Sequence, residues 1–250
     1  MATVKRMFVF VTCILSSLGV LMSLVSIITK EWVHSDKIEF AETLQRVKYG
    51  LFDGTFTKTY TLATEPLTMT CWAKKNICAY LSEPTSDQRQ EVLAQIYDQL
   101  SKTNQVSNFI NCGVWVTTIL FLVLSMLLGT ISAALAFYNT VTNPTQVYLS
   151  VYSLYVYNAT ALFTLMISML SWGVLYHKTI YHNVAIESTL TNQMTSDKTA
   201  VLGYSYWLNL VPVVLYIVSI CVLYLRQYLI SRDPSEKIVV RNEDGAIIIY

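Results

Sequence analysis

Hydrophobic residues lie along this chain in long runs, with polar residues gathered between them. The longest region without charge, residues 103–177, contains no Lys, Arg, Asp or Glu, although 13% of the whole chain is charged. A helix needs ~20 apolar residues to cross a membrane, so this region is long enough for two crossings. Near its middle lies Asn143-Pro144, a dipeptide that breaks helices. The pattern therefore predicts a transmembrane hairpin.

Two further apolar runs lie near the ends of the chain. We place the four spans at about residues 7–29, 108–138, 148–176 and 206–229. A cleaved signal peptide is the alternative for the first run, but its apolar core is usually ~7–15 residues long and ends at small residues. The sequence Thr29-Lys30-Glu31-Trp32 does not have that pattern, so we expect an uncleaved helix. The predicted fold class is a membrane all-α four-helix bundle.

Basic residues near the span ends predict the orientation of the bundle. Lys5 and Arg6 precede the first span, and Arg226 and Arg232 lie at the end of the fourth. Because Lys and Arg are enriched on the cytoplasmic side, both termini are expected to be cytoplasmic in the plasma membrane. Residues 30–106 and 177–203 then become extracellular loops, and residues 233–250 become a cytoplasmic tail.

The first of these loops changes from helical to strand character. Asp53-Gly54 follows residues 47–52, which have strand character, and predicts a two-residue hairpin turn, because both central residues of that turn need positive φ. Residues 55–62 and 67–72 alternate between polar and apolar positions, as a half-buried strand does. We predict a small extracellular antiparallel sheet of three or four strands, in which residues 33–40 are the additional strand.

A short amphipathic helix is predicted after the strands. Thr85 and Gln88 have the spacing of a capping box at its start. Apolar residues then recur at helical spacing on one face, namely Val92, Leu93, Ile96, Tyr97 and Leu100. We expect this face to pack against the sheet. The alternative, a helix on the membrane surface, would carry more Lys and Arg on its polar face.

Small residues recur at four-residue spacing in two predicted spans. The second span has Ser125, Gly129 and Ala133, and the first has Gly19 and Ser23. Small side chains let helix backbones approach closely in lipid, where packing drives association. We expect these residues to pack the chain's own bundle, and the alternative is that they receive a helix of a partner protein.

Two other span residues carry specific expectations. Asn158 begins the glycosylation pattern Asn158-Ala159-Thr160, but it lies inside the third span, so we expect a hydrogen bond across helices instead of a glycan. Pro212 lies near the outer end of the fourth span, where its missing backbone donor is expected to bend the helix.

Composition and charge exclude several function classes. The formal charge of +1 leaves no basic excess for nucleic acid, and the mean hydropathy of +0.45 is that of a membrane protein. The chain has three histidines, His34, His177 and His182. The last two are five residues apart, which does not place them on one helical face, so we predict no metal site. The chain has no phosphate loop, no HExxH and no Ser/His/Asp spacing that indicates catalysis. We therefore predict no enzyme and no cofactor. Ionisable side chains, the usual markers of ion paths, are absent from the central parts of the spans.

The five cysteines fall into two groups. Cys13, Cys112 and Cys221 lie in or beside apolar runs, whereas Cys71 and Cys78 lie in the polar first loop. In an oxidising compartment Cys71 and Cys78 are candidates for a disulfide. The alternatives are two buried thiols, or a bond from Cys112 to one of the pair.

The tail is polar and charge-balanced until its last residues. It ends on Ile248, Ile249 and Tyr250, an apolar tip with β propensity. Such a tip is suited to capture by a cytoplasmic scaffold domain that adds the peptide as an edge strand and holds its carboxylate. The alternative is that the tip lies along the membrane.

Several short motifs resemble a known superfamily. Trp32 after the first span, followed by Gly50-Leu51-Phe52, resembles the claudin and peripheral-myelin-protein superfamily, whose motif has a second Trp where Phe52 stands here. Tyr49, Gly50, Leu51, Phe52, Asp53 and Gly54 together resemble the Tyr-Gly-Leu-Phe-x-Gly segment of the clarins. Residues 137–139 with Pro144, residues 204–207 and the aliphatic-Tyr terminus are also similar to clarin segments.

The resemblance implies a function. Clarins are sensory-cell membrane proteins linked to hair-bundle and synapse organisation, so a similar organising role is expected here, through contacts with lipid, other membrane proteins and a scaffold. It also implies a claudin-like fold, in which Trp32, Leu51 and Phe52 attach the sheet to the helix ends. Gly50 would permit a close approach or an unusual backbone. The alternatives are an auxiliary subunit of an ion channel and a junctional barrier or adhesion protein.

Overall fold

The computed structural model describes residues 2–40, 43–58, 61–102, 105–142, 151–232, 239–241 and 247–249. It has a bundle of four long helices and, at one end of the bundle, a curled antiparallel sheet with a short helix. We call this second part the cap and define it as the described residues of 29–111 and 181–203. Together they form a claudin-like four-helix membrane fold.

The helices and strands, in chain order, are α1 (Ala2–Ile28), β1 (Val33–Phe40), β2 (Thr43–Tyr49), β3 (Asp53–Lys58), β4 (Ala63–Trp72), β5 (Ile77–Leu81), α2 (Ser86–Lys102), β6 (Ile110–Asn111), α3 (Cys112–Val141), α4 (Val151–Leu175), α5 (Glu187–Leu190), β7 (Val201–Leu202), α6 (Tyr204–Leu208), α7 (Leu210–Arg232), β8 (Val239–Arg241) and β9 (Ile247–Ile249). A π-helical turn, Tyr176–Ile180, extends α4.

Four helical segments are long and apolar enough to cross a bilayer: Arg6–Ile28, Cys112–Val141, Val151–Ile180 and Tyr204–Arg232. In the bundle α1 contacts α3 and α7, and α4 contacts the same two helices, so the four form a closed ring. Helix α3, with 30 residues, is about 45 Å long at 1.5 Å per residue and exceeds the ~30 Å hydrocarbon core. The predicted turn at Asn143-Pro144 lies outside the described residues.

The fourth span is interrupted near the cap. Helix α6 ends at Leu208 and α7 begins at Leu210, with Asn209 between them. Pro212 has no N–H to donate to the carbonyl of Leu208, so one bond of the helix ladder is missing here. The Nδ2 of Asn209 donates to the carbonyl of Ser205 at 3.2 Å and to Ser26 Oγ on α1 at 2.7 Å. Where a bend was predicted near Pro212, the structure has an interruption of the helix, and Asn209 hydrogen-bonds it to α1.

The cap sheet has seven strands in the order β6-β5-β4-β3-β2-β1-β7, and every neighbouring pair is antiparallel. The sequence predicted only three or four strands. Each of the two edge strands, β6 and β7, has only two residues. A segment this short shows no alternation of polar and apolar residues in the sequence. They immediately precede α3 and α6, so both edges of the sheet continue into spans. For the same reason the second span begins at Cys112 rather than near residue 108.

The hairpin between β2 and β3 turns at a different place from the one predicted. Tyr49 pairs with Gly54, and the N–H of Gly50 donates to the carbonyl of Asp53 at 2.8 Å, so the central residues of the turn are Leu51 and Phe52. Asp53 and Gly54 are the first residues of β3 and neither has positive φ. The Asp-Gly turn prediction is therefore wrong. Gly54 is needed for another reason, since a Cβ there would lie 2.4 Å from Tyr49 Cβ.

The alternating segment 55–62 also ends earlier than predicted. Strand β3 stops at Lys58, and Leu62 lies in the following turn, with φ of 56° and 80% of its surface exposed. Strand β4 passes through Pro66, which the ladder tolerates because β5 pairs with β4 only from Thr68 onward. Pro66 thus lies where one side of β4 has no neighbouring strand, the position at which a missing N–H breaks no ladder bond.

Helix α2 covers one face of the sheet. The Gln88 N–H donates to Thr85 Oγ1 at 3.4 Å, and the apolar face buries Leu93, Ile96 and Leu100. Their partners include the side chains of Ile77, Ala79 and Leu81, from one face of β5. The other face of β5, with Cys78 and Tyr80, packs into the core that continues to the helix ends. Strand β5 is therefore buried on both faces.

Candidate functional site at the junction of cap and bundle

Trp32 connects α1, the sheet and two other spans. It is fully buried, and its indole Nε1 donates to the carbonyl of Ser26 at 2.7 Å, near the end of α1. Its ring contacts Trp172 of α4 and Tyr206 of α6 edge-on, at centroid distances of 5.3 and 6.0 Å. Its backbone N–H donates to Tyr49 at 2.9 Å. One side chain therefore fixes the start of the sheet to three spans.

Gly50 lies where the sheet meets the end of α1. A Cβ on Gly50 would lie 2.6 Å from the carbonyl oxygen of Thr29 and 3.2 Å from Lys30 Cα. Its φ is not in the left-handed region, so glycine is required by close approach of backbones and not by an unusual conformation. The carbonyl of Gly50 accepts a hydrogen bond from the Tyr80 hydroxyl at 2.6 Å.

Tyr49 and Tyr80 form a buried aromatic pair on β2 and β5. Their rings stack with centroids 4.0 Å apart and an interplanar angle of 27°, and both are fully buried. Burial, with a smaller contribution from Tyr176, raises the pKa of Tyr49 far above its ordinary value. Burial and then Tyr49 raise the pKa of Tyr80. Both hydroxyls are therefore neutral at physiological pH, and the pair stabilises the fold by packing rather than by charge.

Leu51 and Phe52 occupy the turn but differ in burial. Leu51 is 1% exposed, and its carbonyl accepts a hydrogen bond from Trp115 Nε1 of α3 at 2.8 Å. Phe52 is 44% exposed and contacts Trp115 edge-on at 6.1 Å. The side chain of Phe52 therefore contributes less to the attachment of the sheet than those of Trp32 and Leu51. Asp53, beside them, forms an ion pair with Lys30.

A cavity of about 210 Å³ opens on the face of the sheet opposite α2, between the strands and the second loop. Its lining mixes apolar, acidic and amide side chains with one lysine, which pairs with Glu65. Burial, and then the facing Glu83 carboxyl, raise the pKa of Glu187 on this wall. The lining residues are Phe56, Lys58, Glu65, Leu67, Tyr80, Ser82, Ile186, Glu187, Ser188, Gln193 and Met194.

Cys71 and Cys78 are joined by a disulfide, the pairing that the sequence favoured. They are direct register partners in β4 and β5, with Cα atoms 4.1 Å apart. The free thiol of Cys112 lies beside them, and the three sulfur atoms are all within 4.8 Å of one another. Among the described residues this is the one group of three side chains that could hold a metal. Two of these three sulfur atoms, those of Cys71 and Cys78, form the disulfide.

The bundle core contains a hydrogen-bonded group of uncharged polar side chains around Asn158. Asn158 is fully buried on α4; its Oδ1 accepts from Ser16 of α1 at 2.9 Å, and its Nδ2 donates to Ser132 of α3 at 2.7 Å. Three spans are therefore linked through one amide. Ser125 and Ser168 add bonds between α3 and α4 by donating to backbone carbonyls across the interface.

The small-residue positions surround one tyrosine of the fourth span. A Cβ on Gly129 would lie 2.3 Å from the Tyr216 hydroxyl, and one on Gly19 would lie 3.3 Å from the same ring. Ser23 and Ser125 are fully buried, whereas Ala133 is only half-buried. The buried stripe of α3 follows helical geometry from Gly129 to Ser132 and Ala136 instead of Ala133.

The tail tip pairs within the tail. Strand β9, Ile247–Ile249, is antiparallel to β8, and Ile248 is opposite Val240. Tyr250, the third predicted tail-binding residue, lies outside the described residues. One edge of this two-stranded ladder has no neighbouring strand among the described residues.

Several residues of the junction were not singled out from the sequence. Tyr80, Trp115 and Trp172 all contact the predicted motif, but they lie far from it along the chain and carry no short motif of their own. Aromatic rings at the end of a span are usually assigned to the membrane interface, so Trp115 and Trp172 gave no distinct signal. Residues 77–81 gave a weak signal, because a short run of five apolar residues is consistent with a strand covered on both faces.

Comparison with known proteins supports one family. No protein-family model matches the chain. Clarin-3 of Mus musculus is 26% identical over 245 residues, which cover 95% of this chain and 94% of that protein. Clarin-3 of Rattus norvegicus is 26% identical over 216 residues, covering 84% and 82%. Clarin-3 of Homo sapiens is 23% identical over 232 residues, covering 91% and 89%. The similarity spans most of the length of each protein and confirms the resemblance found in the short motifs.

Proposed function

Since the chain belongs to the clarin family, we propose that it is a plasma-membrane organiser of sensory-cell or junctional membrane that acts through protein contacts and not through catalysis. The observation that carries the proposal is the attachment of the cap. Both edges of its sheet continue into spans, and Trp32 connects the sheet to α1, α4 and α6. A recognition surface held this firmly transmits a contact outside the bilayer directly to the bundle.

The proposed contact surface is the cavity on the sheet face. It combines apolar side chains with charged and amide groups, the mixture typical of protein interfaces. Its walls come from both loops, with Phe56 and Leu67 on strands and Ile186 and Met194 on the second loop. A partner that docks here would touch both loops at once and would therefore recognise only the folded cap.

Photocrosslinking in native membrane tests this surface. Gln193 lines the cavity, and Gln99 is an exposed residue on α2, on the opposite side of the sheet. A photoreactive amino acid at residue 193 should give a specific adduct with another membrane protein, and the same group at residue 99 should not. Equal adducts at the two positions would contradict a contact at the cavity, while full surface expression of both variants confirms that the cap is folded.

The orientation is part of the proposal. Arg6 at the start of α1 and Arg226 and Arg232 at the end of α7 favour cytoplasmic termini by the positive-inside rule. An epitope inserted at the exposed Leu62 turn should then be stained on intact cells, and one at the C-terminus only after permeabilisation. Staining of both epitopes on the same side of the membrane would disprove this topology.

The cytoplasmic contact is proposed at the tail tip. The backbone of Ile247–Ile249 is already extended, and one edge of its ladder is open to another strand. A scaffold domain can add to that edge or replace β8. Deletion of Ile249 and Tyr250 should remove cytoplasmic partners from a pull-down while leaving partners of the cap unchanged. Unchanged cytoplasmic partners would refute the capture hypothesis.

A second candidate function is an auxiliary subunit of an ion channel. The observation that favours it is an apolar groove of about 500 Å³ on the outer side of α3, which could receive a helix of the channel. Co-purification of a channel in fixed stoichiometry would support this candidate over the organiser. The groove is lined by Phe52, Trp115, Val116, Ile119, Leu120, Val123, Leu124 and Leu127.

A further inference from the structure

Three cysteines from separate elements meet at one edge of the cap sheet. Cys71 of β4 and Cys78 of β5 form the disulfide, and Cys112 is the first residue of α3. All three sulfur atoms lie within 4.8 Å of one another, so the free thiol is adjacent to both sulfurs of the bond. Cys78 and Cys112 are buried, and Cys71 is half-buried.

The strand order indicates which sulfur Cys112 can bond. Strand β5 lies between β4 and β6, and Cys78 pairs with Cys71 on one side and with Ile110 on the other. Cys112 follows Ile110 by two residues, and its N–H donates to the carbonyl of Asn76 at 3.2 Å. Cys112 is therefore next to the strand that carries Cys78, whereas Cys71 is one strand further away. Disulfides need Cα atoms within about 7 Å, which favours Cys78 as partner.

We propose that Cys112 exchanges with the Cys71–Cys78 disulfide. The Cys112 thiol loses its proton, and its Sγ attacks Sγ of Cys78. A Cys78–Cys112 bond forms as the Cys71–Cys78 bond breaks, and Cys71 leaves as a thiolate that takes up a proton. One disulfide and one thiol are present before and after the step, so no oxidant or reductant is consumed.

The exchange changes what the disulfide connects. The Cys71–Cys78 bond spans a sequence separation of 7 and closes one hairpin within the sheet. A Cys78–Cys112 bond would instead join the sheet covalently to the second span and enclose α2 in the linked loop. It would also release the Cys71 thiol at a half-buried position, where small thiols and thiol reagents can reach it. The cap thus has two covalent states.

Disulfide mapping of the full-length protein tests the exchange. The protein is purified from eukaryotic membranes into nanodiscs and incubated at pH 8 with a trace of glutathione. Free thiols are then alkylated, and unreduced peptides are identified by mass spectrometry. The wild type should acquire a peptide linking Cys78 to Cys112, together with alkylated Cys71. A wild type that keeps only the Cys71–Cys78 link, or that acquires a Cys71–Cys112 link instead, would overturn the proposal.

Two single variants separate exchange from simple reduction. Cys71→Ser should form the Cys78–Cys112 bond in most molecules that reach the cell surface, and alkylation of both thiols in that population would overturn the proposal. Cys112→Ser should keep the Cys71–Cys78 bond under the same incubation, with at least several-fold less alkylated Cys71 than the wild type. If Cys71 is alkylated equally in the wild type and in Cys112→Ser, glutathione has reduced the disulfide directly. That result would also overturn the proposal.

Discussion

In the bundle, the buried polar side chains are uncharged, and many bond to one another or to helix carbonyls, as Asn158 does with Ser16 and Ser132. In the cap, charged side chains form ion pairs at half-exposed positions, such as Lys48 with Glu31 at 2.6 Å, while the buried contacts include stacked and edge-on aromatic pairs. The difference follows from the solvent of each region. Lipid cannot satisfy a charge or an open backbone group, whereas water at the cap surface can.

The bundle and the cap also achieve close packing in different ways. In lipid there is no hydrophobic force between helices, so close approach at small residues such as Gly129 supplies the contact. In the cap, burial of large rings away from water supplies it, as at Trp32. Substitutions in the two regions should therefore differ in size and in cause, and the following predictions run from the largest expected effect to the smallest.

Trp32→Ala should have the largest effect, a loss of about 3–5 kcal/mol, because it leaves a cavity shared by the sheet and three spans. We expect retention of the protein inside the cell and a strongly lowered melting temperature in detergent. Phe52→Ala is the matched control, since that ring is 44% exposed and, among the described residues, contacts one other aromatic ring, Trp115. It should lose about 1 kcal/mol and still reach the surface. Equal losses of stability in the two variants would show that the turn containing Phe52, and not Trp32, attaches the cap to the bundle.

Gly129→Ala should destabilise the bundle by about 1–3 kcal/mol, because the new methyl group would lie 2.3 Å from the Tyr216 hydroxyl. Gly173→Ala on α4 is the control, since its Cβ would lie 3.4 Å from the nearest atom, an ordinary contact. Alanine is the better helix former there, so Gly173→Ala should be neutral or slightly stabilising. Thermal unfolding in nanodiscs measures both, and a tolerated Gly129→Ala would contradict close packing against Tyr216.

Asn158→Leu should cost about 1–2 kcal/mol, because it removes two interhelical hydrogen bonds and hydrogen bonds between spans are worth ~0.6 kcal/mol on average. The serines left behind can bond to carbonyls of their own helices, which limits the loss. Thr160→Val on the exposed side of the same helix is the control and should change little. No difference between the two variants in thermal unfolding would mean that the Asn158 network contributes nothing to stability.

The smallest effect is expected from pH at the cavity wall. The pKa of Glu187 in the folded cap is above its ordinary value of 4.5, so the folded state binds this proton more tightly than the unfolded state. The free energy of unfolding should therefore increase as the pH falls from above the folded-state pKa of Glu187 towards 4.5. This gain should be lost again as the pH is raised. Glu187→Gln should reduce this gain and raise the melting temperature at pH 7.5. An unchanged pH profile in the variant would exclude Glu187 as the cause.

The structure corrected the sequence where contacts between distant residues decide the outcome. Asp53-Gly54 has the composition of a hairpin turn, but Tyr49 lies opposite Gly54 and the chain turns two residues earlier, at Leu51-Phe52. Leu62 alternates with its neighbours in the sequence and yet lies exposed in a turn. Phe52 belongs to a motif whose other apolar members are buried, but it points to the outside of α3. In each case local pattern is compatible with more than one register, and pairing across the sheet selects one.

The sequence by itself determined the four spans, because a lipid environment requires about 20 consecutive apolar residues and that requirement is local. It also determined the strand character of the first loop, the capped α2 and the family resemblance, which all rest on neighbouring residues. Only the tertiary structure decided that two-residue strands extend the sheet, that Gly50 meets the end of α1, and that Cys112 lies beside the disulfide. These facts depend on residues that are close in space and distant along the chain, which no local pattern encodes.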